Sequence, residues 1–165
     1  MSQDLTLPCE DGLVNLRVGA IILKDGKFLM VGNRRQSRYL YSVGGRIQFG
    51  ETAEEAVKRE VLEELGVPME VDRMAFVHEN FFTADVPGVE GKLVYEVSFF
   101  FYMKVPEDFA PVCGSLTQDG QEEFLQWVSP EDTLTYYPEF FRTQLQNPTP
   151  GIKHILTDCK ERHTM

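Results

Sequence analysis

Three glutamates on one predicted helix, Glu60, Glu63 and Glu64, are the residues best suited to chemistry in this sequence. On a helical wheel, Glu60 and Glu64 fall inside the apolar stripe that should face the protein body, and Glu63 flanks them. Two carboxylates about 4 Å apart repel by about 4 kcal/mol at an effective dielectric near 20. A proton, a basic partner or a cation must offset this repulsion. Oxygen ligands alone favour hard cations such as Mg²⁺, Mn²⁺ or Ca²⁺.

A helix from Thr52 to about Leu65 must position these carboxylates. Thr52 and Glu55 have the spacing of a capping box, and Gly66 is the usual residue for a left-handed C-cap. The glycine pair 44–45 precedes the helix and allows backbone to approach an ion. A solvated acidic face is the alternative interpretation of a helix this rich in glutamate.

The spacing of the whole segment resembles a known motif. Gly45 is followed after five residues by Glu51, and after seven more by the run Arg59–Val67, R-E-V-L-E-E-L-G-V. This pattern resembles the Nudix box at every defined position. The resemblance implies that Glu60, Glu63 and Glu64 bind a divalent metal together with the Gly44 carbonyl, and that Arg59 and Glu51 orient those carboxylates.

The same resemblance implies a catalytic function. A Nudix hydrolase cleaves the pyrophosphate linkage of a nucleoside diphosphate linked to another group, here with Mg²⁺ as the expected cofactor and Mn²⁺ as the alternative. The flanking motifs of the family's ADP-ribose, diadenosine-polyphosphate, NADH and coenzyme A classes are missing, which leaves a nucleoside triphosphate (MutT-like) substrate by elimination. The general base stays open among five glutamates: Glu60, Glu63, Glu96, Glu122 and Glu123.

Two non-catalytic alternatives compete with this interpretation. One is a Nudix scaffold that only binds a nucleotide or a protein partner, although such a protein would not need all three box carboxylates. The other is an acidic module for Ca²⁺ or a basic partner, although the sequence lacks an EF-hand loop.

Arginines just before the box are the candidate substrate-binding residues. Arg34, Arg35 and Arg38 lie with Tyr39 and Tyr41 in a segment, 33–42, that we predict to be a loop. Guanidinium groups beside an acidic metal site can grip phosphate oxygens with two hydrogen bonds each. The alternative is that they are solvated or paired with nearby acids.

Composition limits the class of partner and compartment. The chain has 165 residues and a net charge of −10, which argues against nucleic-acid and anionic-membrane binding but not against a small nucleotide. The length predicts one domain, 1–165, with a homodimer as one alternative for its assembly. Three scattered cysteines and the lack of a signal peptide or apolar span predict a reducing, cytoplasmic location.

The order of the predicted elements indicates an α/β fold, a Nudix-like α/β/α sandwich with a mixed sheet between helices. Asp25-Gly26 predicts a two-residue hairpin turn. Glu96 lies in the most apolar strand and needs either the metal site or an arginine as its partner. The long connection 104–121 is a candidate lid. The predicted strands are Leu13–Leu23, Lys27–Val31, Val71–Phe82, Leu93–Met103, Glu122–Val128 and Ile152–Leu156, and short helices are predicted after Ser129 and over Pro138–Gln146.

Overall fold

The computed structural model describes residues 2–34, 36–85, 87–110 and 123–160. The candidate lid 104–121 and the candidate base Glu122 lie wholly or partly outside these residues, as does Arg35. The elements in chain order are β1 (Thr6–Cys9), β2 (Gly12–Ile21), β3 (Leu23–Lys24), β4 (Lys27–Asn33), β5 (Gln36–Arg46), α1 (Ala53–Leu65), β6 (Glu70–Thr83), β7 (Leu93–Lys104), β8 (Glu123–Val128), β9 (Tyr136–Tyr137), α2 (Phe141–Gln144) and β10 (Lys153–Asp158).

Helix α1 has the boundaries that its capping residues predict. The Thr52 side chain accepts from the Glu55 N–H at 3.1 Å, and the Glu55 carboxylate accepts from the Thr52 N–H at 2.8 Å. Gly66 ends the helix at φ 69°, in the left-handed region where glycine has no side-chain penalty. Both ends are therefore fixed within one residue, which holds the box carboxylates at defined positions.

The strands form one mixed sheet in the order β10-β6-β7-β2-β5-β4-β3. The central pair β2 and β7 is parallel, and β2 also pairs antiparallel with β5. Strands β1, β8 and β9 pair with β2, β4 and β5 respectively. The predicted hairpin turn is confirmed, because Asp25 and Gly26 both have positive φ, as a two-residue turn of this kind requires.

The sheet is buried on both faces, which confirms the α/β/α sandwich. Alternate residues of each strand point to opposite sides. Val18 and Ala20 of β2 pack with Val57 and Val61 of α1 in one core cluster. Ile21 packs with Phe141 of α2 and other residues in a second cluster.

Strand β5 corrects the prediction of a loop over residues 33–42. The segment from Gln36 onward is a strand whose Tyr41 pairs with Val31 of β4 and whose Leu40 pairs with Tyr136 of β9. Its arginines and polar residues made it look like a loop, but Leu40 alternates with two tyrosines, as a half-buried strand requires. The segment thus leads into the box as rigid sheet.

The C-terminal elements are shorter than predicted. The helix expected after Ser129 is wrong: Asp132 accepts from the Ser129 N–H at 2.9 Å, and this contact closes a single turn without a helix. The predicted helix over Pro138–Gln146 is reduced to α2. The final strand is confirmed as β10, parallel to β6.

None of the helices in the described ranges is long and apolar enough to cross a membrane.

Candidate metal and active site

Arg59 is the centre of the hydrogen-bond network around the box. Its guanidinium donates two parallel bonds to the Glu51 carboxylate, both at 2.8 Å. It also donates to Glu60 at 2.9 Å, to Glu63 at 3.2 Å and to the Arg46 carbonyl at 3.0 Å. The bond to Glu51 is the main cause that raises the pKa of Arg59 and lowers the pKa of Glu51. The two residues that the sequence predicts as an orienting pair are therefore in direct contact.

Glu51 is itself fixed by the turn that precedes the helix. One of its carboxylate oxygens accepts from the Gln48 N–H at 2.7 Å. The Glu51 side chain is 15% exposed, so the ion pair with Arg59 is largely shielded from water. Because the Gln48 N–H holds the Glu51 carboxylate, the two hydrogen bonds from Arg59 to Glu51 keep the guanidinium in one place.

Glu60 and Glu64 lie one helical turn apart, with Glu64 buried and Glu60 largely buried. Burial is the main cause that raises the pKa of Glu60, against the opposing effect of Arg59. Burial also raises the pKa of Glu64 well above its usual range, and the charges of Glu60 and Glu123 add to this. A buried carboxylate whose charge is disfavoured by burial and by a neighbouring carboxylate is an arrangement that a divalent cation would stabilise.

Gly44 and Gly45 have no side chains, which leaves space for the carboxylates of Glu60 and Glu64. A Cβ on Gly45 would lie 2.4 Å from Glu60 Oε1, so any other residue would displace the carboxylate. Gly44 has φ 150° and donates its N–H to Glu64 Oε2 at 3.3 Å. The backbone of the glycine pair therefore lies close to both carboxylates.

Glu63 is the one box carboxylate turned toward solvent. Its side chain is 57% exposed and contacts Arg59. Within the described ranges, no group of three or more Asp, Glu, His or Cys side chains is already gathered around one point. The donor set of three carboxylates and one carbonyl still suits a hard cation. Glu63 would have to leave Arg59 to complete it.

Glu123 is the carboxylate outside the box that lies near Glu64. It accepts a short hydrogen bond from the Tyr41 hydroxyl. Burial and then this bond raise the pKa of Tyr41, and the charge of Glu64 contributes as well. The Glu96 carboxylate lies 4.0 Å from the Arg17 guanidinium. Of the two partners expected for Glu96, this distance favours an arginine over the metal site.

Two further arginines near the box, Arg17 and Arg46, were not predictable from the sequence motifs. They are cross-strand partners in β2 and β5, and the charge of Arg17 opposes the raised pKa values of Glu60 and Glu64. The predicted phosphate ligands Arg34 and Arg38 are exposed at the junction of β4 and β5. Arg17 stands alone in an apolar strand, so only the strand register shows that it lies beside the box.

Comparison with known proteins agrees with this geometry. A family model of the NUDIX domain matches residues 14–147. The chain therefore belongs to the Nudix family, and it is an enzyme of the Nudix pyrophosphohydrolase class. A comparison with curated proteins found no match.

Solved structures show the same fold. The chain is similar to a MutT protein from Methanosarcina mazei Go1, with 25% identity, TM-score 0.54 and coverage of 82% of this chain and 91% of that one. It is similar to a MutT NUDIX hydrolase from Burkholderia pseudomallei (21%, TM-score 0.51, 72% and 85%). It is also similar to an ADP-ribose pyrophosphatase from Streptococcus suis (15%, TM-score 0.54, 85% and 98%).

Proposed function

We propose that this protein is a Mg²⁺-dependent hydrolase that cleaves the pyrophosphate linkage of a nucleoside diphosphate linked to another group, with nucleoside triphosphates as the first candidates. The observation that carries the proposal is the pair Glu60 and Glu64 at the box positions, Glu64 buried and Glu60 held by Arg59, which Glu51 anchors. The likeness to a MutT protein at 25% identity supports a triphosphate substrate.

Three carboxylates and a carbonyl are the proposed metal-binding set: Glu60, Glu63, Glu64 and Gly44. When bound, Mg²⁺ supplies charge neutralisation for the phosphate oxygens and activation of the attacking water. Mn²⁺ suits the same oxygen donors and is the alternative ion.

Each of the chain's own residues then has a positioning or proton-transfer role. Arg59, anchored by Glu51, holds Glu60 in place and releases Glu63 to the ion. Glu123 lies across from Glu64, and its carboxylate, oriented by Tyr41, is the candidate general base favoured by position. Arg34 and Arg38 stay proposed phosphate contacts at the entrance.

A hydrolysis assay over a panel of nucleotides tests the proposal. The panel contains nucleoside triphosphates, ADP-ribose, UDP-sugars and dinucleoside polyphosphates, with Mg²⁺ present and release of monophosphate and phosphate measured. We expect Glu63→Gln and Glu64→Gln each to lower kcat by about 10²-fold or more, because each removes a metal ligand. Glu54→Gln, an exposed glutamate on the same helix, is the matched control and should keep full activity.

Thermal unfolding with and without Mg²⁺ gives a second readout that does not depend on the substrate. The cation should raise Tm, because it binds the folded state and relieves carboxylate repulsion. Glu60→Gln should reduce this rise and stabilise the metal-free protein. Hydrolysis of no panel member together with nucleotide binding would instead indicate a non-catalytic scaffold.

A further inference from the structure

The sheet face opposite α1 carries a row of polar side chains where a core would normally be apolar. Cross-strand pairing aligns one residue from each of β1, β2, β7, β6 and β10. Phe100, four residues along β7 from the row, packs against α2, which identifies the face. The row consists of Thr6, Asn15, Glu96, Asn80 and Thr157.

The neighbouring row contains a pair of like charges. Arg17 and Arg46 are directly opposite each other on β2 and β5, an arrangement that normally destabilises a sheet. Within the part of the chain that the structure describes, their acidic partners are distant, with Glu96 at 4.0 Å from Arg17 and Asp4 at 4.0 Å from Arg46. Both side chains are 34% exposed. Two under-neutralised arginines side by side suit an anion such as a phosphate.

Several buried polar atoms on the same face have no hydrogen-bond partner among the described residues. Asn15 is 7% exposed, and its Oδ1 has no hydrogen-bond partner while its Nδ2 donates to Glu96 at 3.4 Å. Thr6 Oγ1 and Arg46 Nε are also buried and unpartnered. A buried polar atom that stays unsatisfied destabilises the fold. Three of them together indicate a place where another molecule supplies the missing bonds.

This face meets the carboxylate cluster at the glycine pair. The Arg46 carbonyl accepts from the same Arg59 guanidinium that donates to Glu60, so the backbone beside Arg17 lies close to the carboxylate cluster. Gly44 and Gly45, which pair with β2 beside Arg17, have no side chains to separate the two regions. A phosphate held by Arg17 would therefore lie next to the box carboxylates.

An apolar row borders the polar one on its other side. This row lies on the side away from Arg17, and each member is two residues from the polar residue of its own strand. It consists of Leu13, Val94 and Phe82. Phe82 is only partly buried and lies outside both core clusters. An apolar ring beside polar acceptors fits a planar group that is apolar on its faces and polar at its edge.

We propose that this face binds the nucleoside half of the substrate and selects guanine. Arg17 and Arg46 contact the phosphates, the base lies against Phe82, and Asn15 Oδ1 and the Glu96 carboxylate accept hydrogen bonds from the base edge. This rests on the proposed function, because it assigns the substrate of the same site.

The two hydrogen-bond acceptors, Asn15 Oδ1 and the Glu96 carboxylate, determine which base can bind. Asn15 Oδ1 and the carboxylate of Glu96 only accept, so the ligand must present two neighbouring donors. The guanine edge does so with its ring N–H and its exocyclic amine. Adenine and cytosine present a donor beside an acceptor, and inosine lacks the amine, so each leaves one acceptor unpaired.

Calorimetric binding of GDP, IDP and ADP in EDTA tests the proposal without catalysis. We expect GDP to bind at least about 10-fold more tightly than IDP or ADP, since one good pair at a base edge discriminates by about this much. Glu96→Gln should reduce GDP to the affinity of IDP, and Asn15→Leu should weaken GDP most. Arg17→Leu should weaken all three equally. Glu79→Gln, the same change on the opposite face of the sheet, is the matched control and should leave all three affinities unchanged.

Several outcomes would overturn the assignment: equal affinity for GDP and IDP, no binding of any of the three, or an equal loss in Glu79→Gln. The two proposals fail separately. If no nucleotide is hydrolysed but GDP binds through Glu96, only the catalytic proposal fails. If hydrolysis proceeds and Glu96→Gln keeps both the affinity for GDP and KM for GTP, only the guanine site fails.

Discussion

At the residue scale, Arg59 combines two tasks that usually need two side chains. Its fork is held by Glu51, and its remaining N–H groups reach Glu60 and Glu63. Lysine keeps the charge but has no planar fork, so it cannot hold Glu51 and orient Glu60 together. We expect Arg59→Lys to lower kcat and metal affinity by about 10- to 100-fold while KM stays within a few-fold.

Steady-state kinetics and metal titration on this one variant separate orientation from substrate binding. A strong rise in KM with unchanged metal affinity would mean that Arg59 holds the substrate phosphate instead. Lys58→Arg exchanges the same two side-chain types in the reverse direction on the exposed side of the helix. As the control, it should leave kcat and metal affinity unchanged.

Gly45 should be intolerant of even one extra methyl group. A Cβ there would meet the Glu60 carboxylate at 2.4 Å, well inside van der Waals contact. Gly45→Ala should therefore displace Glu60 and reduce the rise in Tm caused by Mg²⁺. Gly26→Ala, at an open turn far from the box, costs only backbone strain and should keep the full metal response. An undiminished metal response in Gly45→Ala would contradict the proposed position of Glu60.

Sequence reasoning succeeded where spacing along one helix determines which side chains meet. The contact of Arg59 with Glu51 and Glu63 follows from the box pattern and the wheel. The Tyr41–Glu123 bond joins residues 82 positions apart on β5 and β8, and no local pattern brings them together. The assignment of metal ligands and general base stays a prediction.

At the element scale, the capping box of α1 fixes the start of the helix that holds the site. Thr52→Ala removes the side-chain acceptor of the Glu55 N–H and should lower the free energy of unfolding by about 1 kcal/mol. Chemical denaturation measures this loss. Thr52→Ser keeps the hydroxyl and should restore most of it. Because the cap lies at the far end from Glu63 and Glu64, kcat should change little, and a large loss of kcat would mean that the cap positions the site directly.

Long periodic elements were predictable and short ones were not. The runs that became β6 and β7 are long and rich in apolar and aromatic residues, and α1 has both its caps. Strand β9 has only two residues, and its pairing with β5 depends on the tertiary fold. The turn after Ser129 has a helix-like cap but lacks the apolar face that would continue it.

At the scale of the whole molecule, His78 links stability to pH. It is buried between Phe100 and Phe140 and contacts the Thr157 hydroxyl at 2.9 Å. Burial, and next the charge of His154, lowers its pKa from 6.5 to about 4. Above pH 6.5 the ring is neutral in both states, and its contribution to stability is complete. Between pH 6.5 and 4 only the unfolded chain binds the proton, so stability falls by up to about 1.4 kcal/mol per pH unit.

Denaturation midpoints of wild type and His78→Gln over this pH range measure the effect. The raised pKa values of Glu60 and Glu64 make stability rise as the pH falls, which opposes the effect of His78. Both proteins contain these glutamates, so the difference between their stability-against-pH slopes reports His78 alone. His154→Gln removes only the smaller cause of the lowered pKa of His78, so it should change the slope less than His78→Gln does. Parallel curves for wild type and His78→Gln would show that His78 is not protonated on unfolding.

The fold class followed from the order of strands and helices, and the match over residues 14–147 agrees with it. Substrate identity did not follow, because it depends on side chains that meet across strands rather than on one continuous motif. The single domain over 1–165 and the homodimer stay predictions.

The alternation of β2 has an evolutionary consequence. Val18 and Ala20 face α1, while Asn15 and Arg17 face the other side of the sheet. Inserting or deleting one residue within this strand would exchange the two sets and place an arginine in the helix core. Related chains should therefore differ in length at the Asp25–Gly26 turn and keep β2 free of gaps. An alignment of such chains, once assembled, would show this as a ten-residue block of constant length beside a turn of variable length.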